Sequence, residues 1–297
     1  MNRRAIIGSL GALLFSAGAA VGVSRLAAKK APAKTGPGRL VSLSPAITET
    51  LVTLGAVDQL IAVSNYCVLP PGLELPRVGS SLTPSFEAIA ALRPSLILSD
   101  DSAAAKQREL AAIAPCEVLP WLTLDEVVAS IRRLGKLTGQ SLAGDALAQR
   151  LKMKLSQKPH LGSPRVLLLL SYDPDRPAEL WFIKPNSLHG AALAAADARN
   201  AVEYAVQGLP RLSVEELLKL DPDQVLIMPP PAASHEHKQK MLHAFSALAP
   251  LRAVKDDRVA VINGTQSVGP SILQLVDTLA NVIKKLSGPR PVGGLIE

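Results

Sequence analysis

Residues 85–98 read SFEAIAALRPSLIL and residues 213–227 read SVEELLKLDPDQVLI. Each stretch opens with a serine, places a glutamate two residues later, runs through a short apolar helical pattern to Leu-x-Pro, and ends in an aliphatic run. Ser85 and Ser213 suit helix N-caps, and Glu87 and Glu215 then sit in the first turn, against the positive end of the helix dipole. Pro94 and Pro222 stop the helices, and the aliphatic runs that follow predict strands buried on both faces. One such unit is an ordinary piece of an α/β domain. Two of them, far apart in one chain, predict two similar lobes, each showing one glutamate at an equivalent place.

The 297 residues suffice for two cores, and those cores must be aliphatic: 48% of the residues are hydrophobic but only 3% aromatic. The net charge of +7 is a property of the first 38 residues, where Arg3, Arg4, Arg25, Lys29, Lys30 and Lys34 face no acid. Without those six of the 32 basic residues, 26 remain against 25 acids, so the charge gives no reason to expect a nucleic-acid surface. Residues 1–38 themselves have the layout of an export signal: Arg3-Arg4, an uncharged run over 5–24, then a basic spacer. The arginine pair resembles a twin-arginine signal. The run is also nearly long enough to span a bilayer, so a cleaved signal and an uncleaved N-terminal anchor are both open. Either places the folded part in the periplasm or an equivalent extracytoplasmic space. Cys67 follows one strand and Cys116 precedes another, at opposite ends of a parallel sheet, which predicts two free thiols.

Alternating strand and helix patterns over 39–120 predict a first lobe. Strands are expected at 39–43, 60–63, 95–98 and 117–119, with helices at 48–54, 85–92 and 102–113. Residues 121–160 keep helical spacing without a strand, and Thr123 with Glu126 forms a capping-box pattern, so one long linking helix is expected there. A second lobe over 161–290 is expected to hold strands at 166–170, 180–183, 224–228 and 258–262. Its helices are expected at 188–195, 213–220, 238–248 and 271–286, with His235-Glu236-His237 in a loop and a Gly/Pro-rich tail. The reading is an α/β chain of two Rossmann-like lobes with mostly parallel sheets, joined by one long backbone helix.

At this point the chain resembles the helical-backbone class of periplasmic substrate-binding proteins, which deliver cobalamin, haem or iron–siderophore chelates to ABC importers. The resemblance covers residues 39–287. It is carried by Arg39-Leu40-Val41-Ser42-Leu43-Ser44-Pro45 with Thr48-Glu49, by Val63-Ser64-Asn65-Tyr66, by Leu75-Pro76-Arg77-Val78-Gly79, and by the two repeated stretches. It implies a cleft between the lobes that takes a small-molecule metal chelate, a monomer, no cofactor beyond that cargo, and docking on an ABC permease dimer through one glutamate per lobe. The matching glutamates are Glu87 and Glu215.

Ligands of open α/β sheets bind beyond the carboxyl ends of strands. Ser44, Pro45, Asn65 and Tyr66 are the candidates in the first lobe. Tyr66 matches a position where cobalamin-type relatives place a ligand-facing tyrosine, whose ring packs on a flat macrocycle. In the second lobe Tyr172 and Trp181 are candidate walls, Lys184 a candidate cation, and Thr265 and Gln266 candidate hydrogen-bonding groups. Trp121 reads as core. A haem would want an axial ligand, for which Tyr66, Cys67 and His189 are available, and His235 and His237 are candidate metal contacts. Ser80-Ser81 and Ser99-Asp100 stand where cobalamin-binding relatives often carry tryptophans. Cobalamin is placed just ahead of haem and ferric siderophore on the Ser-Leu-Ser-Pro and Ser-Asn-Tyr matches. No phosphate loop, His-Glu-x-x-His or nucleophile elbow occurs, so no enzyme is expected. The alternatives are an exported chelatase or hydrolase on the same scaffold, and a chelate receptor without an importer.

Overall fold

The computed structural model describes residues 38–172, 180–204, 210–230, 233–264, 268–289 and 293–296. The expected leader, apart from Gly38, lies outside them. Among the described residues no helix is long and apolar enough to cross a membrane.

The first lobe begins with strand β1 (Leu40–Ser42) and helix α1 (Pro45–Thr53), which ends before Gly55 at φ 72°. A 3₁₀ turn (Val57–Gln59) leads into β2 (Leu60–Val63). Beyond an irregular stretch come α2 (Phe86–Leu92), β3 (Leu96–Asp100), a 3₁₀ turn (Asp101–Lys106) running into α3 (Gln107–Ala111), and β4 (Cys116–Leu119). The four strands form one parallel sheet in the order β2-β1-β3-β4. Both faces are covered, as an all-parallel sheet requires. Leu40, Val63 and Leu98 face Ile47 and Leu51 of α1, while Val41 and Ile97 join Ile89 of α2 and Leu110 of α3. Cys67 and Cys116 are free, and β2 and β4 are the two edges of this sheet.

Residues 121–160 correct the expectation of one long helix. They form two helices, α4 (Leu124–Leu137) and α5 (Ser141–Leu155). The expected capping box is present, with Thr123 Oγ1 accepting from the Glu126 N–H at 3.3 Å and Glu126 Oε2 accepting from the Thr123 N–H at 2.8 Å. The break lies at Gly139, whose φ of +73° no helix continues. There Gln140 N donates to Gly135 O at 2.7 Å and Gly139 N to Lys136 O at 3.4 Å, the bonds of a Schellman termination. The helices return antiparallel, bringing Asp125 to Lys152 and Arg132 to Asp145. Their apolar stripes merge into one core, so the periodicity runs through the turn unbroken.

The second lobe contains β5 (Arg165–Tyr172), β6 (Leu180–Phe182), α6 (Leu188–Ala195), β7 (Arg199–Asn200), β8 (Arg211–Leu212), α7 (Val214–Leu220) and β9 (Gln224–Ile227). These are followed by α8 (His235–Ser246), α9 (Arg252–Lys255), β10 (Val259–Ile262), α10 (Ile272–Leu286) and β11 (Gly294–Ile296). The sheet order is β11-β10-β9-β5-β6-β8, with β7 on the amino end of β5. Strands β5, β9, β10 and β11 are parallel, and β6 runs against β5. The tail expected to be irregular supplies the edge strand β11, and His235-Glu236-His237 is the first turn of α8 rather than a loop. Ser234 caps that turn through the His237 N–H at 3.1 Å, and Glu236 pairs with Lys240 at 2.8 Å.

The repeated stretches give matching local structures. Both helices α2 and α7 span seven residues and end at a non-glycine residue in the left-handed region, Arg93 (φ 47°) and Asp221 (φ 40°). The next residue is proline in each case, which disfavours the right-handed conformation before it.

Candidate functional site

The carboxyl ends of the first-lobe strands carry an apolar rim. Tyr66 is 75% exposed, Val68 85%, Leu82 67% and Leu122 73%. All four stand in loops at the end of the sheet where ligands of open α/β folds bind. The loops that bear them are tied together. Asn65 N donates to Gly79 O at 2.7 Å, Ser102 Oγ to Ser81 Oγ at 2.7 Å, and Trp121 N to Asp101 Oδ2 at 2.9 Å. Beneath the rim Cys67 is buried, its Sγ 3.1 Å from Thr48 Oγ1 and 3.2 Å from Ser64 Oγ. The thiol therefore packs below the turn that displays Asn65 and Tyr66, both exposed. Ser44 is fully buried, with its Oγ unpartnered among the described residues, and Pro45 is half-buried at the first turn of α1.

Hydrogen bonds among the described residues join this end of the first lobe to the second. Trp121, buried as expected of core, donates from Nε1 to Val268 O at 3.1 Å. Glu49 of α1 accepts the Ser271 N–H at the start of α10, a carboxylate placed at a helix amino terminus.

In the second lobe the same end is built from Met228, Gly264 and the start of α8. Lys238 Nζ donates to Asn263 Oδ1 at 2.6 Å, fastening α8 to the carboxyl end of β10. Gly264 lies close against Met228: a Cβ there would stand 2.3 Å from Met228 Sδ, so that side chain would have to shift. Trp181 is half-buried, with the Arg211 guanidinium 5.6 Å from its ring centre, a cation–π contact on that ring. Thr265 and Gln266 lie outside the described residues.

Two second-lobe candidates are not at this site. Tyr172 is 2% exposed and meets Phe245 edge-on at 5.4 Å in the core. A bulge between Leu169 and Ser171 is the cause, since one extra residue in β5 turns Tyr172 onto the inward face that Leu167 and Leu169 occupy. Lys184 follows a strand that runs antiparallel, and Ile183 N already donates to Leu168 O, so Lys184 lies toward the amino-terminal side of β5. His189 is buried in α6. Among the described residues no three His, Cys, Asp or Glu side chains are grouped to hold a metal ion. A hollow lined by Leu242, Val254, Asp257 and Gly293 lies at the amino ends of β10 and β11, away from the rim. Val68, Leu82 and Leu122 are not among the sequence candidates; Val68 and Leu122 carry the signal of an apolar residue in the loop that follows a strand, and nothing along the chain marks Leu82.

Glu87 and Glu215 are both exposed in the first turns of α2 and α7. Helices that feed parallel strands run against them, so both glutamates stand on the carboxyl-end side of the sheets. Glu215 is bonded to Lys219 at 2.7 Å, and Glu87 has no ion pair among the described residues.

The chain matches the periplasmic binding protein family over residues 40–265. It is 29% identical over 272 residues to the vitamin B12-binding protein of Vibrio cholerae serotype O1, covering 87% of this chain and 92% of that one. The solved structure of a periplasmic vitamin B12 binding protein of Vibrio cholerae superposes with a TM-score of 0.64 at 25% identity, over 83% of this chain and 96% of the other. A periplasmic haem binding protein from Pseudomonas aeruginosa gives 0.65 at 26% identity, over 84% and 92%. The two-lobed α/β architecture is common to these proteins, and the chain belongs to the periplasmic binding protein family.

Proposed function

We propose that this protein captures a metal chelate with broad apolar faces, cobalamin ahead of haem, and delivers it to an ABC permease. Proteins of the family work with such permeases and bind small chelates. The observation that carries the choice of cargo is the rim of Tyr66, Val68, Leu82 and Leu122. A macrocycle buries apolar area against such a rim, worth about 25 cal/mol per Å². An anionic ferric siderophore needs clustered cations instead, and Lys184, the cation expected for that role, lies off the site. The similarity to vitamin B12-binding proteins supports the same order. The protein acts as a binding protein and not as an enzyme, carries no cofactor of its own, and works as a monomer. The leader exports it, either as a cleaved signal or as a retained anchor. Glu87 and Glu215 are its contacts with the permease.

Absorbance titration of the purified protein with cyanocobalamin, haemin and a ferric siderophore tests the reading. Saturable one-to-one binding of cyanocobalamin, weakened by Tyr66→Ala, is expected. Binding of the siderophore alone would overturn the cargo assignment, and binding of none of the three would overturn the proposal as a whole.

A further inference from the structure

The geometry points to Arg77 as the positioning residue for Tyr66, an inference that rests on the proposed cargo-facing role of Tyr66. One guanidinium nitrogen, Arg77 Nη1, donates to Ser64 O at 2.8 Å and to Cys67 O at 2.6 Å. Those two carbonyls are the ends of the turn that holds Asn65 and Tyr66 between them. The backbone around Arg77 is bound to the same region. Val63 N donates to Pro76 O at 3.0 Å, Val78 N to Val63 O at 3.1 Å, and Asn65 N to Gly79 O at 2.7 Å. Residues 76–79 thus run beside residues 63–65 as a short parallel ladder, and the arginine reaches back over the turn that follows.

Tyr66 depends on the turn because its own side chain anchors nothing. Its side chain is 75% exposed and has no hydrogen-bond partner among the described residues, so the turn's backbone sets where the ring starts from. The turn closes on itself by one long bond, Cys67 N to Ser64 O at 3.2 Å, with the Cys67 thiol packed below. Thiol hydrogen bonds are weak, so beyond the Asn65 N–H bond to Gly79 O the charge-assisted pair from Arg77 is what clamps both ends of the turn. The two N–H bonds of one planar nitrogen diverge at a fixed angle, which suits two carbonyls at once. A lysine ammonium carries the charge without that fixed fork.

The test is a double-mutant cycle with a ligand-free arm. Cyanocobalamin and haemin are titrated into the wild type, Arg77→Met, Arg77→Lys, Tyr66→Ala and the Arg77→Met/Tyr66→Ala pair, and amide hydrogen exchange is followed without ligand. We expect Arg77→Met to weaken binding roughly tenfold, with Arg77→Lys in between. In the Tyr66→Ala background the same change should cost less than about twofold, since the arginine acts through the tyrosine. Exchange at Asn65 and Cys67 should accelerate in Arg77→Met while the second lobe keeps its protection. An equal loss of affinity with and without Tyr66, or unchanged exchange at residues 65–67, would overturn the assignment. If the wild type binds neither chelate, the functional reading fails, and the exchange arm still decides whether Arg77 holds the turn.

Discussion

Arg39 and Arg165 stand in equivalent places, one at the head of each lobe's central strand, and their guanidinium groups close the carboxyl ends of the corresponding helices, α2 and α7. Arg39 Nε donates to Arg93 O at 3.1 Å, and its Nη2 bonds to Leu92 O. Arg165 Nη2 donates to Leu220 O at 3.1 Å and its Nη1 to Asp221 O at 3.4 Å. The backbone repeats the match: Ser95 N bonds to Arg39 O and Asp223 N to Arg165 O, both at 2.9 Å. Even the return bonds agree, Arg39 N to Ser95 Oγ and Arg165 N to Asp223 Oδ2. The reason is local. A helix that stops in the left-handed region before a proline leaves its last carbonyls without partners, and a cation is favoured at that negative end. The repeated stretch therefore comes with a third element, an arginine far upstream in each lobe.

Removing either arginine should loosen the helix that bears the exposed glutamate. Arg39→Met and Arg165→Met are each expected to lower unfolding stability by about 1–3 kcal/mol, the range for hydrogen bonds to a charged group. Urea midpoints at neutral pH measure this. A change below about 0.3 kcal/mol in both variants would show that water replaces the guanidinium at no cost.

The two glutamates should separate delivery from capture. Glu87→Ala with Glu215→Ala is expected to abolish chelate uptake in a reconstituted permease system while leaving chelate affinity within about twofold, because neither side chain is on the apolar rim. Undiminished uptake would remove the glutamates from the interface. Glu215 must also give up its Lys219 bond to engage a partner's cation, a small penalty for so exposed a pair. Glu87→Ala alone should therefore cost at least as much uptake as Glu215→Ala alone.

The parts of this fold that were legible in the sequence are those fixed by neighbours along the chain. The Ser213 cap, the Leu-x-Pro stops and the strand at Leu60–Val63 depend on residues a few positions apart, and they stand as expected, whereas Ser85 occupies the N-cap position of α2 without a side-chain hydrogen bond to the helix. What escaped depended on partners far away. Strand β11 is a Gly-Leu-Ile segment made a strand only by the edge of β10. The inward turn of Tyr172 comes from a bulge against β6, and the misplacement of Lys184 from that strand's antiparallel course. Ser44 shows the same limit at the site, since its place after β1 was legible but its burial was not.

The helix hairpin makes a packing prediction. Gly135 and Gly144 meet where α4 and α5 cross, and a Cβ on Gly144 would lie 3.1 Å from Gly135 Cα and 3.2 Å from Ile131 O. Gly144→Leu must push the helices apart and is expected to cost about 1–3 kcal/mol or more, as other overpacked cores do. Gly139→Ala meets nothing within 4 Å, so its cost comes from φ alone, about 1–2 kcal/mol. Urea denaturation of both separates the causes. Restoring Gly144→Leu should require space on the facing helix, whereas Asn at position 139 should recover much of the alanine loss because it tolerates the left-handed region. Failure of that asparagine rescue would contradict the backbone account.

An acid-side loss of stability follows from Asp197, which sits just after α6 at φ 62°. Its Oδ1 accepts from Ser163 Oγ, from the His160 N–H at 2.9 Å and from His160 Nδ1 at 2.9 Å. The Ser163 hydroxyl first, and then the His160 backbone N–H, hold the carboxyl down to about 2. A carboxyl whose value is lower folded than unfolded stabilises the fold above its unfolded value, about 4, and loses that contribution as pH falls through the folded one. The window is therefore about pH 4 to 2, and the side chain's exposure keeps the effect modest. Asp197→Asn keeps a residue that accepts the left-handed backbone but removes the charge. Its urea midpoint should lie below that of the wild type at pH 6, and the gap should close by about pH 2 as the native carboxylate becomes protonated. A gap that stays constant over that range would mean that the shape of the turn, rather than the charge on Asp197, holds residues 160–163 against it.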